Sequence, residues 1–166
     1  MTIRRIAPVF FGGGLGACAR ALLLQLSAVW SAPFPLSLLL INLLGSFLLG
    51  VVFVLADEAE VMRSETRLFV AVGILGGFTT FSTFGWETVV LSEGPHFIVG
   101  VSYVTASLAG GVLAVVAGIV AGREAVSALD RMTHRAFLDR GEGRAVSPPD
   151  DKDLVETENH DSAELA

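Results

Sequence analysis

Between Gly73 and Glu87 the chain concentrates groups that act on ions: Gly73-Ile-Leu-Gly76-Gly77-Phe78-Thr79-Thr80-Phe81-Ser82-Thr83-Phe84-Gly85-Trp86-Glu87. A Gly-Gly pair followed by hydroxyl residues at 79, 80, 82 and 83 weakens a helix, through backbone entropy and through side-chain competition for peptide groups. A helix broken inside an apolar segment frees carbonyl oxygens that need a partner, and a cation held between them is one such partner. Phe78, Phe81 and Phe84 recur every three residues and are predicted to share a face. The edge of a phenyl ring is electropositive, so a file of ring edges can line an anion path without trapping the ion as a full charge would. Core packing is the plainer reading of the same stripe.

Other segments carry polar groups at spacings that suit the same work. Asn42 and Ser46 fall one turn apart on one face of a predicted helix. An Asn amide offers two N–H donors, which either glue helices together or take the place of water around an anion. Tyr103 and Ser107 repeat the four-residue spacing in a run that also holds Ser102 and Thr105. Arg20 ends a run of small residues that starts at Gly12. It either snorkels to the interface or fixes a positive charge at the mouth of a polar cavity, where it attracts anions and repels cations. Glu87 is the one acid within a span, and reads as a gating group or as an interfacial residue reaching water.

The elements that must position these groups are set by where charge is missing. Of the 166 residues, 52% are hydrophobic and 17% charged, which is more apolar than a soluble domain and too short for several domains. No Asp, Glu, Lys or Arg occurs from Ala21 to Ala56 or from Phe97 to Gly122, and only Glu87 interrupts Leu68 to Leu91. A bilayer core of about 30 Å demands about 20 apolar residues of a helix. Four spans follow, at 6–26, 36–56, 68–91 and 97–122, the first two separated by a turn containing Trp30, Pro33 and Pro35. The first span follows Arg4 and Arg5 as a signal peptide would, but it is long, carries Arg20 and lacks a convincing cleavage site, so it is read as a retained span. The reading is an all-α membrane protein with the third helix broken at mid-membrane.

Arg4, Arg5, Arg63, Arg67 and Arg123 all fall on one side of such a protein, and the two opposite loops hold no Lys or Arg. By the positive-inside rule both termini are expected in the cytoplasm. Most of the net charge of −6 belongs to residues 123–166. There, Val126, Leu129, Met132, Thr133, Ala136 and Phe137 recur at helical spacing with Arg131 and Arg135 between them. Residues 123–140 are thus either a short amphipathic helix at the inner surface or an extension of the fourth span. Residues 141–166 are acidic, contain Pro and are too polar to fold, so a disordered tail is expected. The acidic balance argues against nucleic-acid binding. Cys18, the lone cysteine, rules out an intrachain disulfide or a cysteine metal cluster. Without a His in a span or a nucleophile paired with a base, the pattern is not that of an enzyme.

Over residues 6–122, the motif Gly-Gly-x-x-Gly-Ala-x-x-Arg ending at Arg20, the Asn42–Gly50 motif and the Gly76–Phe84 motif resemble the small fluoride-channel family (Fluc, also called CrcB). The resemblance implies an antiparallel dimer in the plasma membrane that exports fluoride passively through two pathways, with a structural, non-transported sodium ion at its centre. It implies that the carbonyls of Gly76 and Thr79 from both subunits hold the sodium. It also implies that Phe81 and Phe84 line the fluoride path, with Asn42 donating hydrogen bonds, Thr83, Tyr103 and Ser107 extending the polar track, and Arg20 in the vestibule. Ala21 stands where the family often has an aromatic. Homodimeric members insert in both orientations, which needs a weak arginine bias. Five arginines against none lead us to expect one-way insertion and pairing with a separately encoded, oppositely oriented homologue rather than with a second copy. The alternatives are a four-span proton-coupled small-cation exporter, which would want a carboxylate in the first span where only Arg20 is found, and a non-transporting membrane scaffold.

Overall fold

The computed structural model describes residues 3–27, 34–59, 61–93 and 95–142. The turn around Trp30 and the acidic tail from residue 143 lie outside the described residues. In chain order the elements are α1 (Ile3–Ser27), α2 (Leu36–Phe53) continued by wide turns at Val54–Glu58, α3 (Ser64–Arg67) continued by wide turns at Leu68–Leu75, α4 (Gly76–Phe78), α5 (Phe81–Glu93) and α6 (Phe97–Glu142). The wide turns close i→i+5, as where the Ala59 N–H donates to the Val54 carbonyl at 2.9 Å. No strand occurs among the described residues, and four helical segments are long and apolar enough to cross a membrane. The protein is therefore an all-α, multi-pass membrane protein. Its helices run past the apolar stretches: the third span begins helically at Ser64 and the fourth continues to Glu142. Helical hydrogen bonding does not stop where hydrocarbon ends, so composition marks the crossing and not the helix.

The third span breaks between α4 and α5. Thr79 is extended (φ −79°, ψ 156°), and its N–H and its hydroxyl both donate to the Leu75 carbonyl, at 3.0 and 2.9 Å. The chain restarts with Thr80 as the cap of α5: its Oγ1 accepts the Thr83 N–H at 3.3 Å. The Gly-Gly pair loosens the helix, and the two threonines end one helix and begin the next.

Small residues join the spans. A Cβ on Gly12 would overlap the Phe69 carbonyl oxygen, one on Gly16 the Ile74 carbonyl oxygen, and one on Gly77 the Gly13 carbonyl oxygen. Thus α1 lies backbone to backbone along the first half of the third span. The same device joins α2 to α6: Gly50 faces the Val115 carbonyl, Gly118 the Phe47 carbonyl, and Gly122 lies 3.0 Å from the Val54 Cβ by the same measure. Lipid tails are as apolar as leucine, so close packing of small residues drives association of these helices. Large apolar side chains such as Phe10, Leu22, Leu113 and Val116 stay exposed. At one end of the bundle, Arg67 pairs with Asp57 at 2.5 Å, and Arg123 grips Glu58 through two bonds of 2.8 and 2.5 Å.

The chain divides into two units, Met1–Ser127, which holds the four spans, and Ala128–Ala166. Within the second, residues 128–142 are helical, Leu129 and Met132 are exposed, and the Thr133 hydroxyl donates to the Leu129 carbonyl at 2.9 Å.

The glycine contacts separate two neighbouring positions. Gly16→Ala should lower stability by about 1–3 kcal/mol, because its methyl meets backbone that has nowhere to move. Gly14→Ala, which meets nothing within 4 Å, should leave the melting temperature unchanged or raise it. Thermal unfolding of the two variants in detergent, read by circular dichroism, checks the order.

Candidate functional site

A cavity of about 300 Å³ opens beside the helix break. Asn42, Gly45, Ser46 and Leu49 of α2 form one wall, Gly76, Thr79, Thr80, Phe81 and Phe84 a second, and Ser107 and Leu108 of α6 a third. The cavity gathers Asn42, Gly76, Thr79, Phe81, Phe84 and Ser107 from the predicted set. Thr83 and Tyr103 stand immediately behind it. Arg20 and Glu87 are half-buried and do not line it.

The break is tied to α2 through Asn42. The Thr80 N–H donates to Asn42 Oδ1 at 2.9 Å, and Asn42 Nδ2 donates to the Thr80 carbonyl at 3.3 Å. These two bonds fix which way the amide faces, since the flipped form would set N–H against N–H and oxygen against oxygen. One of the two Asn42 N–H donors expected around an anion is therefore spent on the backbone, and one remains. Beside it, a Cβ on Gly45 would overlap the Thr79 methyl. Glycine at 45 is the notch that lets the unwound segment reach Asn42.

Thr80, 9% exposed, sits at the centre of a hydroxyl cluster. Its Oγ1 lies 3.1 Å from Ser82 Oγ and 3.2 Å from Thr83 Oγ1. The cluster places Thr83 one hydroxyl away from the cavity wall.

Four aromatic rings run in a file. Phe34 meets Tyr103 edge to face at 5.8 Å, Tyr103 meets Phe84 at 5.4 Å, and Phe84 meets Phe81 at 5.4 Å. Phe78 does not share their face as its spacing predicts. The extended Thr79 breaks the three-residue register, and Phe78 is buried beside Gly16 and Gly45 instead. Tyr103 is fully buried with Leu38, Leu39 and Leu91, yet among the described residues its hydroxyl finds no well-formed hydrogen bond, with Ser107 Oγ, one turn on and likewise without one, as its polar neighbour. A buried polar group left unpaired costs about 1–3 kcal/mol, so Ser107 on the cavity wall and Tyr103 behind it mark a place suited to a polar guest. Phe81, at the mouth, is 78% exposed within a single chain.

Two residues named from the sequence, Ser46 and Thr80, have no place among the predicted site residues. Ser46 lies on the Asn42 face, which was legible, but its part in the cavity wall depends on where the third span breaks. Thr80 has a local signal: it precedes a helix start with a residue three positions on whose N–H it caps. Among the described residues no cluster of His, Cys, Asp or Glu could hold a metal, so a cation here would meet backbone and hydroxyl oxygens.

The family described as CrcB-like protein, Camphor Resistance (CrcB), matches residues 7–119. Among curated relatives, the fluoride-specific ion channel FluC of Chlorobium chlorochromatii is 41% identical over 123 residues, covering 71% of this chain and 92% of the relative. FluC 2 of Nocardia farcinica is 42% identical over 120 residues, covering 70% and 81%. FluC of Hahella chejuensis is 40% identical over 124 residues, covering 74% and 98%. These relatives are named as channels and not as enzymes. The match spans all four membrane helices, the helix break and the cavity beside it, and the chain belongs to the CrcB family.

Proposed function

We propose that this chain is a fluoride-selective channel subunit that lets fluoride leave the cytoplasm passively. The observation that carries the reading is the cavity wall where Asn42, Ser107 and the Phe84 ring meet beside the unpartnered Tyr103 hydroxyl. Fluoride is small and strongly hydrated, and it gives up water only where other donors replace it, as in other selectivity filters. The free Asn42 N–H and the Ser107 and Tyr103 hydroxyls are such donors, and Ser46 and Thr83 extend them. The edges of Phe81 and Phe84 add weak positive potential without a charge that would hold the ion in place. Arg20 raises the local anion concentration at a vestibule. Glu87, midway along α5 and nearly two turns from its start, is in place to gate. Relatives that carry the name fluoride-specific ion channel support the same substrate.

Sodium fits the break as a structural ion. The Thr80 N–H, which would close a helical turn on the Gly76 carbonyl, is turned to Asn42, so that carbonyl is left for another partner. The Thr79 carbonyl follows an extended residue and also leaves the helical path. Both are hard neutral oxygens of the kind unwound membrane helices offer to sodium. Two such oxygens make half a site, and Gly76 is exposed. A second subunit across the break would complete both the cation shell and the wall opposite Phe81. We therefore place the chain in an antiparallel dimer, with its termini in the cytoplasm. The partner is a separately encoded, oppositely oriented homologue, because the arginine bias directs this chain one way.

The protein reconstituted in liposomes with an oppositely oriented homologous partner should release fluoride, read by a fluoride electrode with a potassium ionophore, and should release no chloride. No fluoride release from the protein, alone or with a homologous partner, would overturn the function. Phe81→Ile should abolish flux with assembly intact; loss of assembly instead would make that ring a packing element. Tyr103→Phe keeps the ring contacts and removes an unpaired hydroxyl, so flux should fall about tenfold or more while stability holds or rises. Reporters fused to the termini should report a single side of the membrane. Equal labelling on both sides would restore a homodimer.

A further inference from the structure

The Asn42 amide does more than face the cavity. In an unbroken helix the Thr80 N–H would return to the Gly76 carbonyl, four residues back. Here it is captured by Asn42 Oδ1 at 2.9 Å, while Asn42 Nδ2 holds the other side of the same residue through the Thr80 carbonyl at 3.3 Å. Gly45, one turn below Asn42, leaves space for the Thr79 methyl, so α2 receives the unwound residues at two adjacent points. Thr80 in turn caps α5 through Thr83, and α5 carries Phe81 and Phe84. Bonds at one half-buried side chain thus decide whether the Gly76 carbonyl is free and where the two rings begin.

We propose that Asn42 is the positioning residue of the helix break: by competing for the Thr80 N–H it keeps the Gly76 carbonyl available to a cation. It acts through the backbone of the third span, separately from any hydrogen bond its remaining N–H gives to an anion. The proposal rests on the sodium reading above. Without an acceptor at position 42, the partner that a regular helix offers the Thr80 N–H is the Gly76 carbonyl, four residues back, and a helix closed in that way would cover the cation site. Asn42→Leu removes the acceptor and the donor at similar size. Asn42→Asp keeps the acceptor. Phe81→Ile alters the pathway and leaves the break alone.

The test is the sodium dependence of assembly, measured as the fraction of cross-linked dimer in detergent against sodium concentration with the ionic strength held by a large organic cation. Fluoride efflux is recorded in parallel. Asn42→Leu should raise the sodium concentration for half-maximal assembly by about tenfold or more, the weight of one buried hydrogen bond. Asn42→Asp should bring it back toward the wild-type value, and Phe81→Ile should leave it unmoved while flux is lost. A midpoint for Asn42→Leu equal to that of wild type overturns the proposal and leaves Asn42 as an anion donor alone. Wild-type assembly that ignores sodium also overturns it, even if the protein conducts fluoride. Sodium-dependent assembly that shifts with Asn42 in a protein that conducts no fluoride upholds it and overturns the channel reading instead. Should Asn42→Leu fail to assemble at any sodium concentration, Asn42→Asp decides: sodium-dependent assembly supports the proposal, and its absence overturns it.

Discussion

A peptide group in hydrocarbon has no water to fall back on, and each one left unpaired costs several kcal/mol. That constraint governs the third span. Thr79 and Thr80 leave the helical path in the middle of an apolar segment, and their bonds are made elsewhere: Leu75 takes the Thr79 N–H, Asn42 takes the Thr80 N–H, and Thr80 caps the helix that follows. The N–H groups at the break are thus accounted for by the preceding turn, one polar side chain on α2 and a hydroxyl of the break itself.

The rest of the unit serves to bring that side chain within reach. Glycines let α1 lie along the first half of the third span and let α6 lie along α2, so the break is pressed between surfaces that approach at backbone distance. Tyr103 then closes the other side. Its ring sits between Phe34 and Phe84, which fixes the Phe84 ring from behind while its hydroxyl stays unspent. Packing precision and an unsatisfied polar group are usually at odds; here the apolar part of one residue supplies the first and its polar tip the second.

The spans were legible because a bilayer imposes a length on apolar runs, and the break was legible because Gly76-Gly77 and the hydroxyls after it oppose a helix by independent means. Phe78 was misplaced for the same reason the break was found. Periodicity assumes a continuous helix, and the stripe was counted across the point where the helix ends. The Asn42 amide was read as two donors because composition does not reveal which backbone group lies opposite a side chain. That Asn42 and Ser46 share a face follows from spacing alone, whereas their meeting with Thr80, Phe84 and Ser107 depends on how α2, the third span and α6 cross. No local pattern encodes that crossing; glycines distributed over all the helices set it.

The ion pairs at the end of α2 have a consequence in time. Glu58 and Arg123 are separated by 65 positions in the chain, and at ribosomal speed roughly 3–13 s pass between their emergence. Asp57 finds Arg67 after only ten positions. The carboxylates of Asp57 and Glu58 therefore emerge first as free charges, and are neutralised one after the other as the arginines before the third span and after the fourth arrive. The Arg123–Glu58 contact closes only once the last helix is threaded. Its formation is a record that biogenesis of the four-helix unit has finished.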